Sequence, residues 1–309
     1  MTTPTVLVVG EALVDVTRAP GRPDAQHPGG SPLNVAVGLA RLGVPTTLAA
    51  QLGSDPHGDR IRAHLADSGV RLVALASNGP TASATAHLDA DGHATYEFDL
   101  RWDPPELPDP SGHALLHVGS IGSWMPPGAD AVAELVVRAR SIGVPVSFDP
   151  NVRPALAPDL DAVRERVRRL AAAATIVKLS DEDAATLDGP AGNAAMATVD
   201  HLVGLGPALV AVTRGGDGAL LASDSERIDV AAREVTVADT IGAGDAWMAG
   251  LLAGIVTRDW ADVASFSPDR LAWLGRLATA TAAITCSRPG ADPPWRHELP
   301  ELVDQASTA

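Results

Sequence analysis

The sequence predicts an α/β fold in which mostly parallel strands are joined by crossover helices. Short β-branched runs alternate with segments of helical periodicity along most of the chain. No repeat, low-complexity tract or flexible linker divides the 309 residues, so we expect one domain spanning residues 1–309. The predicted strands are 6–9, 46–51, 72–76, 114–118, 145–148, 175–178 and 209–213, and the predicted helices are 33–42, 58–68, 129–142, 160–172, 243–256 and about 268–284.

Two segments depart from this alternation of strands and helices. Residues 11–17 and 81–100 alternate polar and apolar side chains, and the second contains Asp91-Gly92, a dipeptide typical of hairpin turns. Both segments are compatible with a small β-sheet that projects from the main fold. The second is equally compatible with an ordinary edge hairpin, so the residues alone leave both alternatives open.

Composition and charge argue against several classes of protein. The net charge of −15 argues against a nucleic-acid binder, and Lys178 is the only lysine. A single cysteine, Cys286, excludes an intramolecular disulfide and a zinc site built from cysteines. The N-terminus lacks the pattern of a signal peptide, and no run approaches the roughly 20 apolar residues that span a bilayer. We therefore expect a cytoplasmic protein without a membrane partner.

The strongest candidate site is the stretch Asp239-Thr-Ile-Gly-Ala-Gly-Asp245, where a loop becomes a helix. The small residues Gly242, Ala243 and Gly244 allow backbone N–H groups to converge on an anion, and the helix dipole adds positive potential. A carboxylate at Asp245, in the first turn, is suited to accept a proton from an attacking hydroxyl. The alternative is a tight turn followed by a favourable first-turn acid.

Two further glycine-rich segments are candidates. Gly29-Gly-Ser-Pro-Leu-Asn34 leads into a helix rich in Ala and Gly, and Asn34 offers both a donor and an acceptor to ligand hydroxyls, although a plain helix start explains it too. The loop Thr213-Arg-Gly-Gly-Asp-Gly218 follows a strand and suits close approach to a nucleotide, or a plain β-turn. The chain has no Walker A motif and no G-x-G-x-x-G fingerprint, which weakens a dehydrogenase interpretation.

Together these segments resemble the ribokinase-like (PfkB) family of carbohydrate kinases. The pattern G-G-x-x-x-N-x-A-x-x-L-A-x-L-G and the pattern D-T-x-G-A-G-D-A-x-x-A-G are the two signatures of that family, and they occur here in the family's order near opposite ends of the chain. The resemblance implies a three-layer α/β/α sandwich with a mostly parallel sheet. It also implies that residues 11–17 and 81–100 form a small β-sheet lid over the sugar.

The resemblance also implies roles for individual residues. Asp245 would be the general base, beside an anion hole at Gly242, Ala243 and Gly244. The implied sugar-binding residues are Asp15, Gly30, Asn34, Asn151 and Arg153, and the implied ATP-binding residues are Lys178, Ser180, Thr213, Gly215 and Gly218. Arg101, just after the lid hairpin, is a further candidate to close over the sugar, although a surface charge explains it too. A turn in which Arg153 pairs with Asp149 and an ordinary strand-end charge at Lys178 are the corresponding alternatives.

The segment linked to metal binding departs from the family's pattern. Where the family usually carries N-x-x-E, linked to Mg²⁺, this chain has Ser180 and Asp183, which also form the pattern of a helix capping box. We expect Asp183 to act on Mg²⁺ through water. The resemblance further implies a monovalent-cation site, for K⁺, enclosed by Asp239, Ile241, Thr285, Arg288 and Gly290.

The expected activity is ATP-dependent phosphorylation of a primary hydroxyl on a small sugar, by in-line transfer without a phospho-enzyme. The segment Asp149-Pro-Asn-Val-Arg-Pro154 resembles the fructokinase and 2-keto-3-deoxygluconate kinase branches, so fructose is the first expectation, followed by 2-keto-3-deoxygluconate, ribose or a nucleoside. A sugar-binding regulatory protein that has lost transfer is the alternative class. The oligomeric state stays open, although an exposed lid sheet would allow a homodimer.

Overall fold

The computed structural model describes residues 4–89, 93–188, 194–257 and 266–299. The strands within these ranges are β1 Val6–Val9, β2 Leu13–Arg18, β3 Ala25–Gly29, β4 Thr46–Gln51, β5 Arg71–Leu75, β6 Ser83–Leu88, β7 Ala94–Asp99, β8 Leu115–Gly119, β9 Val146–Asp149, β10 Ile176–Ser180, β11 Leu209–Thr213, β12 Ala219–Ala222 and β13 Arg227–Val230. The α-helices are α1 Ser31–Arg41, α2 Pro56–Asp67, α3 Ser120–Trp124, α4 Gly128–Ser141, α5 Leu160–Ala173, α6 Asp181–Asp188, α7 Ala194–Gly204, α8 Ala243–Val256 and α9 Pro268–Cys286.

The larger sheet has the strand order β13-β12-β11-β10-β9-β8-β1-β4-β5 in the described part of the chain. Its strands run parallel from β5 to β11, and β12 and β13 add antiparallel partners at one edge. Alternate residues of each strand point to opposite faces. In β1, Val6 and Val8 join one apolar cluster with α1, α8 and α9, whereas Leu7 and Val9 join another with α4 and α5. The predicted three-layer α/β/α sandwich is therefore confirmed.

A second, smaller sheet has the order β3-β2-β6-β7. The central pair β2 and β6 is parallel, and the outer strands β3 and β7 are antiparallel to their neighbours. The segments predicted to form a small sheet supply β2, β6 and β7, so that prediction is confirmed. Strand β3, with its sequence Ala-Gln-His-Pro-Gly, carries no apolar alternation and was not predicted. The predicted hairpin turn at Asp91-Gly92 lies outside the described residues.

Other differences from the predicted elements have local causes. The predicted strands omit the edge strands β12 and β13, because the Ala-Leu-Leu-Ala run of β12 has no β-branched residue and β13 is largely exposed. Helix α2 begins at Pro56 because the side chain of Asp55 accepts a hydrogen bond from the N–H of Gly58 at 2.8 Å. The N-cap of α9 is Ser267, whose side chain accepts a hydrogen bond from the N–H of Arg270. Within the described residues, no helix is both long and apolar enough to cross a bilayer.

Helix α8 is buried on all sides, between α1 and α9, because small residues allow its backbone to approach both neighbours. A Cβ atom added at Gly38 of α1 would lie 2.6 Å from Cβ of Ala249. A Cβ atom added at Gly250 would lie 2.6 Å from Oγ1 of Thr281 and 2.9 Å from the Cα of Ala278 in α9. These close contacts hold α8 tightly between α1 and α9.

We expect Gly250→Ala to lower the free energy of unfolding by roughly 1–3 kcal/mol, because the added methyl group collides with the backbone of α9. Chemical denaturation followed by circular dichroism measures the change. Gly204→Ala is the matched control, since Gly204 is an exposed helical residue and a Cβ atom added there would meet no atom within 4 Å. The better helix propensity of alanine should make that control neutral or stabilising. Equal stability of Gly250→Ala and wild type would contradict this packing argument.

Candidate active site

The carboxylate of Asp245 lies where α1 and α8 meet. Ser31 Oγ donates to its Oδ1 at 2.6 Å, and Asn34 Nδ2 donates to its Oδ2 at 2.8 Å. Ser31 and Asn34 are three residues apart in α1, so they occupy one face of the first turn. Asp245 is 9% exposed and each of its oxygens keeps a lone pair for a further donor. The structure therefore brings two predicted site residues, Asp245 and Asn34, into direct contact.

The loop before α1 requires glycine at position 30. Gly30 has φ of 103°, in the region that side chains rarely adopt, and a Cβ atom there would lie 2.8 Å from the carbonyl oxygen of Glu11. The backbone of the loop therefore passes close to the backbone of Glu11 and Ala12, which follow β1. This close approach aims Ser31 and Asn34 at Asp245.

The start of α8 has the geometry of an anion site. Gly242 adopts φ of 74°, and no side chain caps the helix. The N–H of Ala243 donates to the carbonyl of Thr240 at 3.2 Å, whereas the following amides of a first turn have no carbonyl partner within their helix. Those N–H groups and the helix dipole favour a negatively charged ligand. The amides of Gly244 and Asp245 therefore suit an anion better than that of Ala243.

Glu11, which the sequence assigns only to the predicted lid segment, is a buried carboxyl group of this site. It follows β1, is 5% exposed, and its Oε2 accepts the N–H of Gly122 at 2.9 Å. Burial is the main cause that raises its pKa to about 7, and the charge of Asp245 contributes. Its position after a parallel strand was the available signal, because ligands gather at the carboxyl ends of such strands.

The other predicted sugar-binding residues differ in their exposure and in the partners that they contact. Asp15 is exposed on β2, where its carboxylate would collide with a Cβ atom added at Gly29. Asn151, with φ of 38°, donates to Ser120 Oγ at 3.4 Å. The structure leaves two predicted residues at its surface. Arg101 is ion-paired with Asp103, and the exposed Arg153 donates to the carbonyl of Val152.

The predicted nucleotide residues line the ends of β10 and β11. Thr213 ends β11, and Gly215 and Gly218 adopt positive φ in the turn to β12. A Cβ atom at Gly218 would collide with the carbonyl oxygen of Val230, so glycine is required there by the fold itself. Lys178 is not at the surface of this loop, because it is 4% exposed and its Nζ donates to Asp149 Oδ2 at 2.8 Å.

Ser180 and Asp183 form a capping box at the start of α6. The N–H of Asp183 donates to Ser180 Oγ, and both the N–H and the hydroxyl of Ser180 donate to Asp183 Oδ2, while Val152 N–H donates to Oδ1 at 2.7 Å. Both carboxylate oxygens are thus engaged within the protein. No group of three His, Cys, Asp or Glu residues in the described ranges has the geometry to hold a metal ion. The remaining lone pair on Oδ1 of Asp183 is compatible with a contact to hydrated Mg²⁺ through water, as predicted from the sequence.

The two loops predicted to enclose a monovalent cation are joined through Asp239. Its Oδ1 accepts the N–H of Ile241 at 3.0 Å, and its Oδ2 accepts the N–H of Gly290 at 2.9 Å. The carbonyls of Thr285 and Gly290 accept hydrogen bonds from the N–H groups of Arg288 and Asp292, and the guanidinium of Arg288 pairs with Glu298. Each of these oxygens retains a second lone pair, which is compatible with the predicted K⁺ site.

Comparison with known proteins decides the family. Residues 3–298 match the pfkB family of carbohydrate kinases. This chain belongs to that family. It is 34% identical over 302 residues to the fructokinase of Klebsiella pneumoniae, with 93% of this chain and 94% of the relative covered. It is 33% identical over 255 residues to the aminoimidazole riboside kinase of Salmonella typhimurium, with 80% and 79% covered.

The fold comparison agrees with the sequence comparison. The structure of a fructokinase with bound ATP from Xylella fastidiosa superposes with a TM-score of 0.85 and 29% identity, over 99% of both chains. The expected resemblance to PfkB kinases is confirmed, and the protein is an ATP-dependent carbohydrate kinase. The sugar kinase signatures therefore identified the class of reaction correctly.

The buried Glu11 of this carbohydrate kinase gives a prediction about stability and pH. Its pKa is about 7 in the folded state and ordinarily 4.5, so between these values the unfolded chain releases a proton that the folded protein retains. Glu11 therefore costs stability as the pH rises through this window, by roughly 3 kcal/mol in total, and the cost is complete above pH 7.

We expect Glu11→Gln to remove this dependence, so that the variant becomes more stable relative to wild type at pH 8 than at pH 5. Urea unfolding at the two pH values measures the difference. Glu134→Gln, at an exposed position of α4, is the matched control and should show no such change. An equal stability difference between Glu11→Gln and wild type at both pH values would contradict the burial argument.

Proposed function

We propose that this enzyme transfers the γ-phosphoryl group of ATP to a primary hydroxyl of fructose, with Asp245 as the general base. One observation carries the proposal: a carboxylate held by Ser31 and Asn34 stands in the first turn of an uncapped helix. A proton acceptor and an anion-binding group are therefore adjacent. That pairing is what a phosphoryl transfer to an alcohol requires.

The proposed reaction proceeds in line. The sugar hydroxyl gives its proton to Asp245, its oxygen forms a bond to the γ-phosphorus, and the bond to the bridging oxygen breaks as ADP leaves with the electron pair. The amides at Gly244 and Asp245 stabilise charge on the transferring group. Mg²⁺ bound to the phosphates would neutralise part of their charge, and Asp183 would reach it through water.

The remaining predicted residues complete the proposal. The small sheet would act as a lid, with Asp15 above the sugar, and the turn at Gly215 and Gly218 would border the nucleotide. K⁺ would bind beside Asp239, next to the loop that ends at Gly242. A cation there would favour the phosphate-binding shape of that loop. The proposal excludes Arg101 from direct contact with sugar unless its ion pair with Asp103 opens.

Fructose is favoured over other acceptors by the fructokinase similarity and by the Asp149-Pro-Asn-Val-Arg-Pro154 segment. The similarity to a riboside kinase keeps a nucleoside as the second candidate. We expect ATP consumption to be fastest with fructose in a panel that includes 2-keto-3-deoxygluconate, ribose, adenosine and aminoimidazole riboside. A higher kcat/KM with any other compound would reject fructose as the substrate while leaving the transfer chemistry intact.

We expect Asp245→Asn to lower kcat by ~10²–10⁴, because the amide cannot accept the hydroxyl proton. The dissociation constant for the sugar, measured by calorimetry, should change little since the amide keeps the shape and part of the hydrogen bonding. Asp130→Asn is the matched control, since Asp130 is an exposed residue of α4 paired with Arg166. Near-normal turnover by Asp245→Asn would show that the base has been misassigned.

A further inference from the structure

Lys178 is the only lysine of the chain, and it is buried beneath the candidate active site. It belongs to β10, and its Nζ forms a 2.8 Å ion pair with Asp149 at the end of the neighbouring strand β9. Both side chains are almost completely inaccessible, at 5% and 1% exposure. A buried ion pair is costly to desolvate, so its presence calls for an explanation beyond stability.

The ammonium group lies directly against the first turn of α8. A Cβ atom added at Gly244 would be 3.0 Å from Lys178 Nζ, tighter than ordinary contact. Gly244 has an ordinary helical conformation, unlike Gly242, so its backbone does not demand glycine. The space that a side chain would take at this position is occupied by the lysine.

The groups around the ammonium are mainly acidic. Asp149, Asp183 and Asp245 all act on Lys178 through their charges. Burial alone would lower the pKa of Lys178, but Asp149 and these further carboxylates outweigh it and raise the pKa, so the lysine stays charged. His117, on β8, also faces the group, and burial lowers its pKa to about 3, so it is neutral at working pH.

We propose that Lys178 is a positioning residue for the transfer reaction, which places a buried positive charge behind the anion site of α8 and is held there by Asp149. The inference rests on the proposed role of Asp245. It differs from the expected contact of Lys178 with ATP, because an ammonium that is engaged with Asp149 and shielded from solvent acts through the field that it creates. In a poorly solvated interior such a field is weakly screened.

This placement has a consequence for the reaction. The ammonium offsets the negative charge that the phosphoryl group brings to the amides of Gly244 and Asp245. An acidic protein that carries a net charge of −15 thereby provides positive potential at the point where the anion binds.

The test uses the double variant Lys178→Met/Asp149→Asn, in which the ion pair becomes a neutral pair of similar size. Lys178→Met alone should lower the melting temperature, since it leaves Asp149 buried without its partner, and the double variant should recover it. We expect kcat to stay roughly 10–100-fold below wild type in the double variant, with the affinity for sugar unchanged. Recovery of both stability and kcat would overturn the proposal, because the pair would then be structural.

A second test addresses the contact with Gly244. Gly244→Ala should reduce kcat in the wild-type background, because the added methyl group displaces the ammonium. The same substitution should have a much smaller effect in Lys178→Met/Asp149→Asn, where the ammonium is absent. Equal effects in the two backgrounds would contradict the assigned contact. If Asp245→Asn retains turnover, the proposed function fails; if that variant is inactive but the lysine tests fail, only this inference falls.

Discussion

The hydrogen bonds that Ser31 and Asn34 donate to Asp245 are the interaction on which the site depends. They connect residues 214 and 211 positions apart, so they bring distant parts of the chain together in the candidate active site. Their formation requires α1 and α8 to lie close together, and that closeness depends on the contact of Gly38 with Ala249. The orientation of the Asp245 carboxylate therefore depends on how α1 and α8 pack against each other.

The charge distribution follows from the same geometry. Phosphate binding by a strongly acidic chain cannot rely on an excess of basic side chains, so it must use backbone N–H groups and a small number of well-placed cations. The left-handed conformation of Gly242 exposes the start of α8, and the Lys178–Asp149 pair lies just behind it. Burial makes these few groups effective because water does not screen them.

Much of the fold could be predicted because its central strands are apolar runs separated by helical patterns. Residues of the candidate site could be predicted where they belong to a short motif in the sequence, as Asp245 and Asn34 do. The place of Glu11 in the site could not be predicted, since its carboxylate accepts a hydrogen bond from Gly122, a residue 111 positions away. The family resemblance assigns Lys178 to ATP, and only the three-dimensional arrangement shows its partner to be Asp149. Long-range partners of this kind leave no periodicity or local motif in the sequence.

The position of Gly30 has a mechanical consequence. Strand β3 ends at Gly29 and helix α1 begins at Ser31, so a single residue separates the small sheet from the helix that orients Asp245. A rotation of the small sheet must be absorbed by the torsion angles of Gly30 or passed directly to Ser31. Gly30, the residue that would have to absorb any turn of the small sheet, therefore also sets the direction of the Asp245 partners.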